Sequence, residues 1–253
     1  DVAPSRGLGD VYKRQILTRF DGKYSGTFQL NNASVHVNGH YGAKSRKFDE
    51  MEVVIDEDVS SAEDTRKLGI EIGDFVCFDP RTTVTSSGYI KSRFLDDKLS
   101  AAILLTYAQS LRDSGKKPGR KVYLHFTVYE EVGHGAAASV PADVVEVLSV
   151  DMGCVGDGLS CTERQVSICA KDSGGPYDDS VVTALVKTAR EQGIDYAVDV
   201  YPHYGSDAEA SLHAGYDVKH GLIGAGVYAS HGYERSHVKG AENTLRLLEA
   251  YLG

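Results

Sequence analysis

The sequence predicts an α/β fold, a mainly parallel mixed sheet flanked by helices, preceded by a small, mostly β module. Three observations carry this. From about residue 92 onward, short runs rich in β-branched and aromatic residues alternate with longer segments of helical period, as strands joined by covering helices do. Before that point the segments are short, alternate with period two, and are punctuated by Gly, Asn and Asp. The chain of 253 residues, 42% apolar and 25% charged, is long enough and ordinary enough in composition to bury a sizeable core.

In the first region, about Ile16 to Lys91, the spacing predicts strands over Lys23–Leu30, Ala33–His40, Met51–Ile55 and Asp74–Phe78. A single helical patch, Ser61–Leu68, opens on a Ser with acids in its first turn and stops at Gly69. In the second region, residues 92–253, Leu99, Ile103, Leu104, Tyr107 and Leu111 recur at helical spacing. Strands are expected over Lys121–Val128, Val144–Val150, Val166–Ala170, Tyr196–Tyr201 and Asp217–Val227. Helices are expected over Ser180–Gln192, Asp207–His213 and Ala241–Leu252. Residues 1–15 stand apart. The run Ser5–Gln15 resembles a translated sequencing adapter, and this segment is expected to be non-native, with the natural start lying upstream.

Charge and composition narrow the function. A formal net charge of -9 disfavours a nucleic-acid backbone as partner. No apolar run is long enough to span a bilayer, and the start has no secretory pattern, so a cytoplasmic location is expected. The four cysteines, Cys77, Cys154, Cys161 and Cys169, form no C-x-x-C pair and read as reduced thiols.

The chemistry-bearing residues cluster at element ends. Leu95-Asp96-Asp97 precedes a helix. Glu130-Glu131-Val132-Gly133, Val150-Asp151 and Ser230-His231-Gly232-Tyr233-Glu234 each follow an expected strand. Ligands of open α/β sheets bind outside the carboxyl ends of strands, so these loops can converge. Carboxylates and one imidazole together suit a divalent cation such as zinc. Each motif also has a plain alternative: a helix N-cap for the Asp pair, solvated charge for the Glu pair, a turn cap for Asp151, a surface histidine for His231. The order and spacing of all four favour the metal.

With these motifs in place, the chain from Ile16 onward resembles the glutamyl and tetrahedral aminopeptidase family of co-catalytic metallopeptidases. Leu95-Asp96-Asp97-Lys98, Glu130-Glu131-Val132-Gly133, Val150-Asp151, Gly175-Pro176 and Gly205-Ser206-Asp207-Ala208 carry the resemblance, with the His motif near Ser230 and the Leu68–Pro80 pattern. It implies that residues 16–91 are an inserted small β-barrel serving oligomer contacts and access, and that residues 92–253 are the C-terminal part of the catalytic domain. It implies two divalent metal ions, zinc first and cobalt or manganese as alternatives. Asp96 would bridge them, with Asp97 supporting its geometry. Glu131 and His231 would hold one metal and Asp151 the other, and Glu130 would be the general base. His237 is the second choice for the His ligand, since Tyr228–His237 departs from the family's usual motif. Gly205, Ser206, Asp207 and His237 are candidate substrate contacts. Peptides would be the substrates, and the assembly a homo-oligomer built from dimers, up to a dodecamer.

The family takes a further ligand from a His-x-Asp motif that would precede Ile16, and His36 and His40 do not match it. The chain as it stands is therefore expected to be inactive or nearly so. The alternatives are another two-metal hydrolase (a dipeptidase, carboxypeptidase or N-deacylase) and a non-catalytic protein that kept the fold. The second would predict loss of Asp96 or Glu130, and both are present. A carboxylate-pair glycosidase is disfavoured because its two acids work without metal.

Overall fold

A computed structural model of the protein describes residues 12–43 and 46–253. The described chain divides at Arg81/Thr82 into two compact units. Most of the segment set aside as non-native, residues 1–11, lies outside the described residues. The remainder of it enters strand β1 (Tyr12–Leu17).

The first unit is a four-stranded antiparallel sheet, ordered β3-β2-β1-β4, in which β2 (Lys23–Leu30) and β4 (Phe75–Phe78) flank β1 and β3 (Met51–Ile55) pairs with β2. β1 turns into β2 through a tight loop in which Thr18 N bonds Gly22 O at 2.9 Å and Gly22 N bonds Thr18 Oγ1 at 2.8 Å. Ile16 and Leu30 are buried, and the Phe28 ring packs edge-on to Phe78. Helix α1 (Ala62–Lys67) starts as expected: Ser61 accepts from Asp64 N, and Gly69 follows its last turn with positive φ. Two expectations change. Among the described residues the sheet is open, with β3 and β4 at its edges, and no closed barrel forms. The Ala33–His40 stretch is turn rather than strand, because Val37 N and Asn38 N both bond Ser34 O, leaving Val35 and Val37 exposed.

The second unit begins earlier than the sequence suggested, at Thr82 rather than Ser92. β5 (Thr83–Val84) and β6 (Tyr89–Ser92) are tied to its sheet through β11 (Glu234–His237). The other elements are α2 (Leu95–Ser114), β7 (Glu146–Val155), β8 (Val166–Lys171), α3 (Asp179–Glu191), β9 (Tyr196–Val200), α4 (Asp207–His213), β10 (Lys219–Tyr228) and α5 (Val238–Leu252). The sheet runs β5-β6-β11-β10-β8-β9, and β7 pairs with β10 in parallel along its whole length. Among the described residues only β7–β10 and β8–β9 are parallel. The other four pairings are antiparallel, so the sheet is mixed rather than mainly parallel. The expected strand Lys121–Val128 alternates in exposure only as far as His125, leaves Phe126 and Val128 exposed, and has no ladder partner among the described residues.

Burial on both sheet faces follows the period-two rule. On β8, Val166 and Ile168 pack toward α3 and α5, with Val181, Leu185 and Leu247. Cys169 points the other way, into a cluster with Tyr177, Tyr201 and Ala208 of α4. Val181, Leu185 and Ala189 recur every four residues on α3, which presents one apolar stripe to the sheet. On β10, Gly224 lies opposite Asp151 of β7 in register, where a Cβ would collide with the Asp151 carbonyl oxygen. No helix among the described residues is long and apolar enough to cross a membrane.

Candidate metal centre

Four local structures deliver the site. Asp96 and Asp97 open α2 with non-helical dihedrals (φ -80, ψ 102 and φ -120, ψ 33), and the peptide between them is cis. The residue in the cap position is Phe94, whose side chain makes no capping bond, so the Asp pair is not an N-cap. Glu130 and Glu131 share one short 3₁₀ turn, Glu130–Val132. That turn ends on Gly133 in the left-handed region, φ 82, where a side chain would be strained. His134 N bonds Tyr129 O at 3.1 Å, and the two rings stack at 5.3 Å, which closes the loop on itself. Asp151 sits midway along β7, buried. His231 lies between β10 and β11 with φ 60.

These residues meet. Ligand atoms of Asp96, Glu131 and His231 lie within 4.8 Å of one another, and so do those of Asp96, Asp97 and Asp151. Asp96 belongs to both groups. His231 Nε2 is 3.4 Å from Asp96 Oδ2, and its Nδ1 is 4.0 Å from Glu131 Oε2. Ser100 Oγ donates to the Asp151 carbonyl at 2.8 Å, which ties the start of α2 to β7.

The electrostatics are those of acids crowded without enough positive charge. Burial first, and then Asp151 and Glu131, push the Asp96 carboxyl up to about 9. Burial, with Asp151 and Glu131 behind it, pushes Glu130 up to about 8. Asp151 is raised to about 6, mainly by burial, and Asp97 is raised by burial and then by Asp151. Desolvation and like charge both penalise the ionised form. Asp97 Oδ1 is buried with no hydrogen-bond partner among the described residues. Such an atom is costly unless something supplies positive charge. Carboxylates plus one exposed imidazole are a donor set that divalent cations accept, so the residues present fit a metal.

Of the expected substrate contacts, the structure brings none into these two groups. Ser206 is buried, its hydroxyl 2.7 Å from the Tyr177 hydroxyl, which donates to Asp172 at 2.7 Å. Gly205, beside it, is exposed. Asp207 accepts from Thr127 Oγ1 at 2.6 Å and from Ala136 N at 3.1 Å, bracketing the loop that carries Glu130 and Glu131. A Cβ on Gly135 would run into that carboxylate. His237 is buried and caps α5: Nδ1 accepts from Lys239 N at 3.0 Å, leaving Nε2–H to donate to Ser87 O at 2.9 Å. Between the two histidines, it is His231 that joins the acids.

Glu234 was given no role by sequence. It is 1% exposed, and its Oε2 accepts from Leu95 N and Asp96 N while Oε1 accepts from His231 N at 3.0 Å. Only its place three residues after His231 hinted at the site.

Comparison with known proteins adds to this geometry. A family model described as M42 glutamyl aminopeptidase matches residues 11–247. "Putative aminopeptidase YhfE" of Bacillus subtilis (strain 168) is 44% identical over 238 residues, covering 94% of this chain and 69% of YhfE. Among solved structures, aminopeptidase APDkam598 from the archaeon Desulfurococcus kamchatkensis superposes with a TM-score of 0.81 at 24% identity, over 99% of this chain and 71% of that one. The Pyrococcus horikoshii TET1 peptidase, described as able to assemble into a tetrahedron or a large octahedral shell, gives 0.79 at 22% identity, over 98% and 74%. These two likenesses are of fold.

Proposed function

The chain belongs to the M42 glutamyl aminopeptidase family, and on that premise we propose a metal-dependent aminopeptidase that removes N-terminal residues from peptides, with Glu130 as general base. One observation carries the metal reading: two three-residue ligand groups meet at a shared carboxylate, Asp96. Glu131 and His231 would complete one cation position and Asp151 the other, with Asp97 holding Asp96 in place. When bound, such a pair of divalent cations, zinc first and cobalt or manganese as alternatives, would polarise the scissile carbonyl and acidify water.

The remaining steps belong to the chain's own residues. Glu130 lies beside Glu131 on the same turn, facing Asp151 and Asp207 closely enough for their charges to act on it. Its carboxylate would take the proton from the attacking water and hand it to the leaving amine. Asp207, through Thr127 and Ala136, would hold that turn at a fixed height over the sheet. Homo-oligomeric assembly is part of the same reading. Apolar residues left exposed in the first unit, Ile72 and Phe75 among them, are of the kind that assembly covers.

The test uses the natural gene product and a panel of aminoacyl chromogenic substrates with zinc, cobalt or manganese added. Cleavage that Glu130→Gln lowers by at least two orders of magnitude, with metal binding retained, is the expected outcome. Binding of two metals without cleavage of any free-amine substrate would move the reading to a dipeptidase, carboxypeptidase or N-deacylase.

A further inference from the structure

We propose that Glu234 is the positioning residue of the metal centre: one buried carboxylate that fixes the backbone of Asp96 and of His231 together. The inference rests on the metal reading above for its purpose, and on hydrogen bonding for its substance.

Asp96 and His231 are far apart in sequence and arrive on unrelated pieces of chain, the opening of α2 and the loop between β10 and β11. Neither piece is regular where it reaches the site. Asp96 is non-helical within its helix, and His231 adopts φ 60. A non-glycine residue at φ 60, as His231 is, persists only where surrounding structure holds it. Glu234 supplies that hold. Its Oε2 receives Leu95 N and Asp96 N, the latter at 3.1 Å, and its Oε1 receives His231 N at 3.0 Å. The two oxygens of one rigid group thus set the spacing between the two segments, and His231 Nε2 comes to rest 3.4 Å from Asp96 Oδ2.

Glu234 does not serve as a ligand in this arrangement. Both of its oxygens are engaged by backbone donors, and neither ligand group includes it. Its own place is fixed because it begins β11, where it sits opposite Ser92 of β6. A buried carboxylate is costly unless its acceptors are satisfied, and three N–H donors satisfy this one. Partners that orient ligands in this way typically change metal affinity about 10–100-fold when removed.

Glu234→Gln keeps the shape but replaces one acceptor with an NH₂, which must face either the Leu95/Asp96 amides or the His231 amide. The experiment has two arms. Zinc titration of the metal-free protein by calorimetry is expected to show affinity lowered about 10–100-fold in Glu234→Gln. Amide hydrogen exchange by NMR on the metal-free parent is expected to show His231 N–H protected, although His231 itself is exposed. In Glu234→Gln that protection, or that of the Asp96 amide, is lost. Unchanged zinc affinity in a folded Glu234→Gln, or fast exchange at His231 in the parent, overturns the proposal. If the parent binds no zinc, the metal reading fails, and the exchange arm alone decides the role of Glu234. The exchange measurement on the parent also stands if the variant does not fold.

Discussion

Thr127 Oγ1 donates to Asp207 Oδ2 at 2.6 Å, joining residues 80 positions apart at the base of the loop that carries the Glu130-Glu131 pair. The other oxygen of Asp207 receives Ala136 N at 3.1 Å on the far side of the same loop. One carboxylate therefore clamps both limbs. Asp207→Ala removes two bonds to a charged acceptor, worth about 1.5–3 kcal/mol each. The expected result is faster proteolysis within residues 127–136 and a fall in kcat of tenfold or more, with the sheet intact by circular dichroism. Gly135→Ala should do similar damage from the opposite side, since its Cβ would displace the Asp207 carboxylate. Wild-type turnover in Asp207→Ala would show that the loop holds itself.

The two candidate histidines separate cleanly by substitution. His237 caps α5 and bonds Ser87 O, so His237→Ala should cost about 1 kcal/mol or more, lowering Tm by about 2–4 °C, and leave metal affinity unchanged. His231 is exposed and lies 3.4 Å from Asp96. His231→Ala should leave the Tm of the metal-free protein in place and weaken zinc binding. A reversed pattern would return His237 to the ligand set.

Asp96 stands among acids that repel it, so its loss should help the metal-free protein and harm the loaded one. Asp96→Asn replaces, in both ligand groups at once, a buried carboxyl that burial and its acidic neighbours push up to about 9 and that the folded metal-free protein must keep protonated at neutral pH. In the metal-free protein Tm should hold or rise. Added zinc, which should raise the parent's Tm by mass action, should raise the variant's little. Equal zinc stabilisation of both proteins would mean that Asp96 is not shared between the two groups.

Much of this was readable from sequence, for identifiable reasons. The Asp pair, the Glu pair and Asp151 are local words; the two pairs sit where an element begins, whereas Asp151 lies midway along β7 rather than at a strand end. The α3 stripe is a local period and came out within a residue at each end. Most of what failed was non-local. Lys121–Val128 has the composition and alternation of a strand, but a strand also needs a ladder partner. One failure was local: Val35 and Val37 alternate as strand residues do, yet Ser34 O accepts from Val37 N and Asn38 N and bends the chain. Antiparallel pairing of β10 with β8 cannot be told from parallel pairing by hydrophobic pattern alone. Glu234 reaches amides 139 and 138 positions away, and no spacing rule finds such a pair.

A second buried acid pair, away from the metal ligands, should give the protein a pH dependence of its own. Asp172 is fully buried and accepts from Tyr177 Oη at 2.7 Å and Gly174 N at 3.0 Å. Glu209 on α4, also buried, is hydrogen-bonded to Asp172, and burial first and Asp172 second push its carboxyl up from 4.5 to about 8, against a smaller opposing pull from Lys171. In the folded state Glu209 thus keeps its proton until the pH approaches about 8, whereas the unfolded chain releases it near the ordinary value of 4.5. Between those values the folded state binds the extra proton, so the contribution of Glu209 to stability is present at low pH and is lost as pH rises through the window. Glu209→Gln carries an NH₂ toward Asp172 at every pH and has nothing to release. Denaturant midpoints measured from pH 5 to pH 9 should therefore show the parent losing stability relative to Glu209→Gln as pH rises, with the gap levelling above about 8. Parallel curves across that range would mean that Glu209 holds no proton in the folded protein and that Asp172 is its partner in some other way.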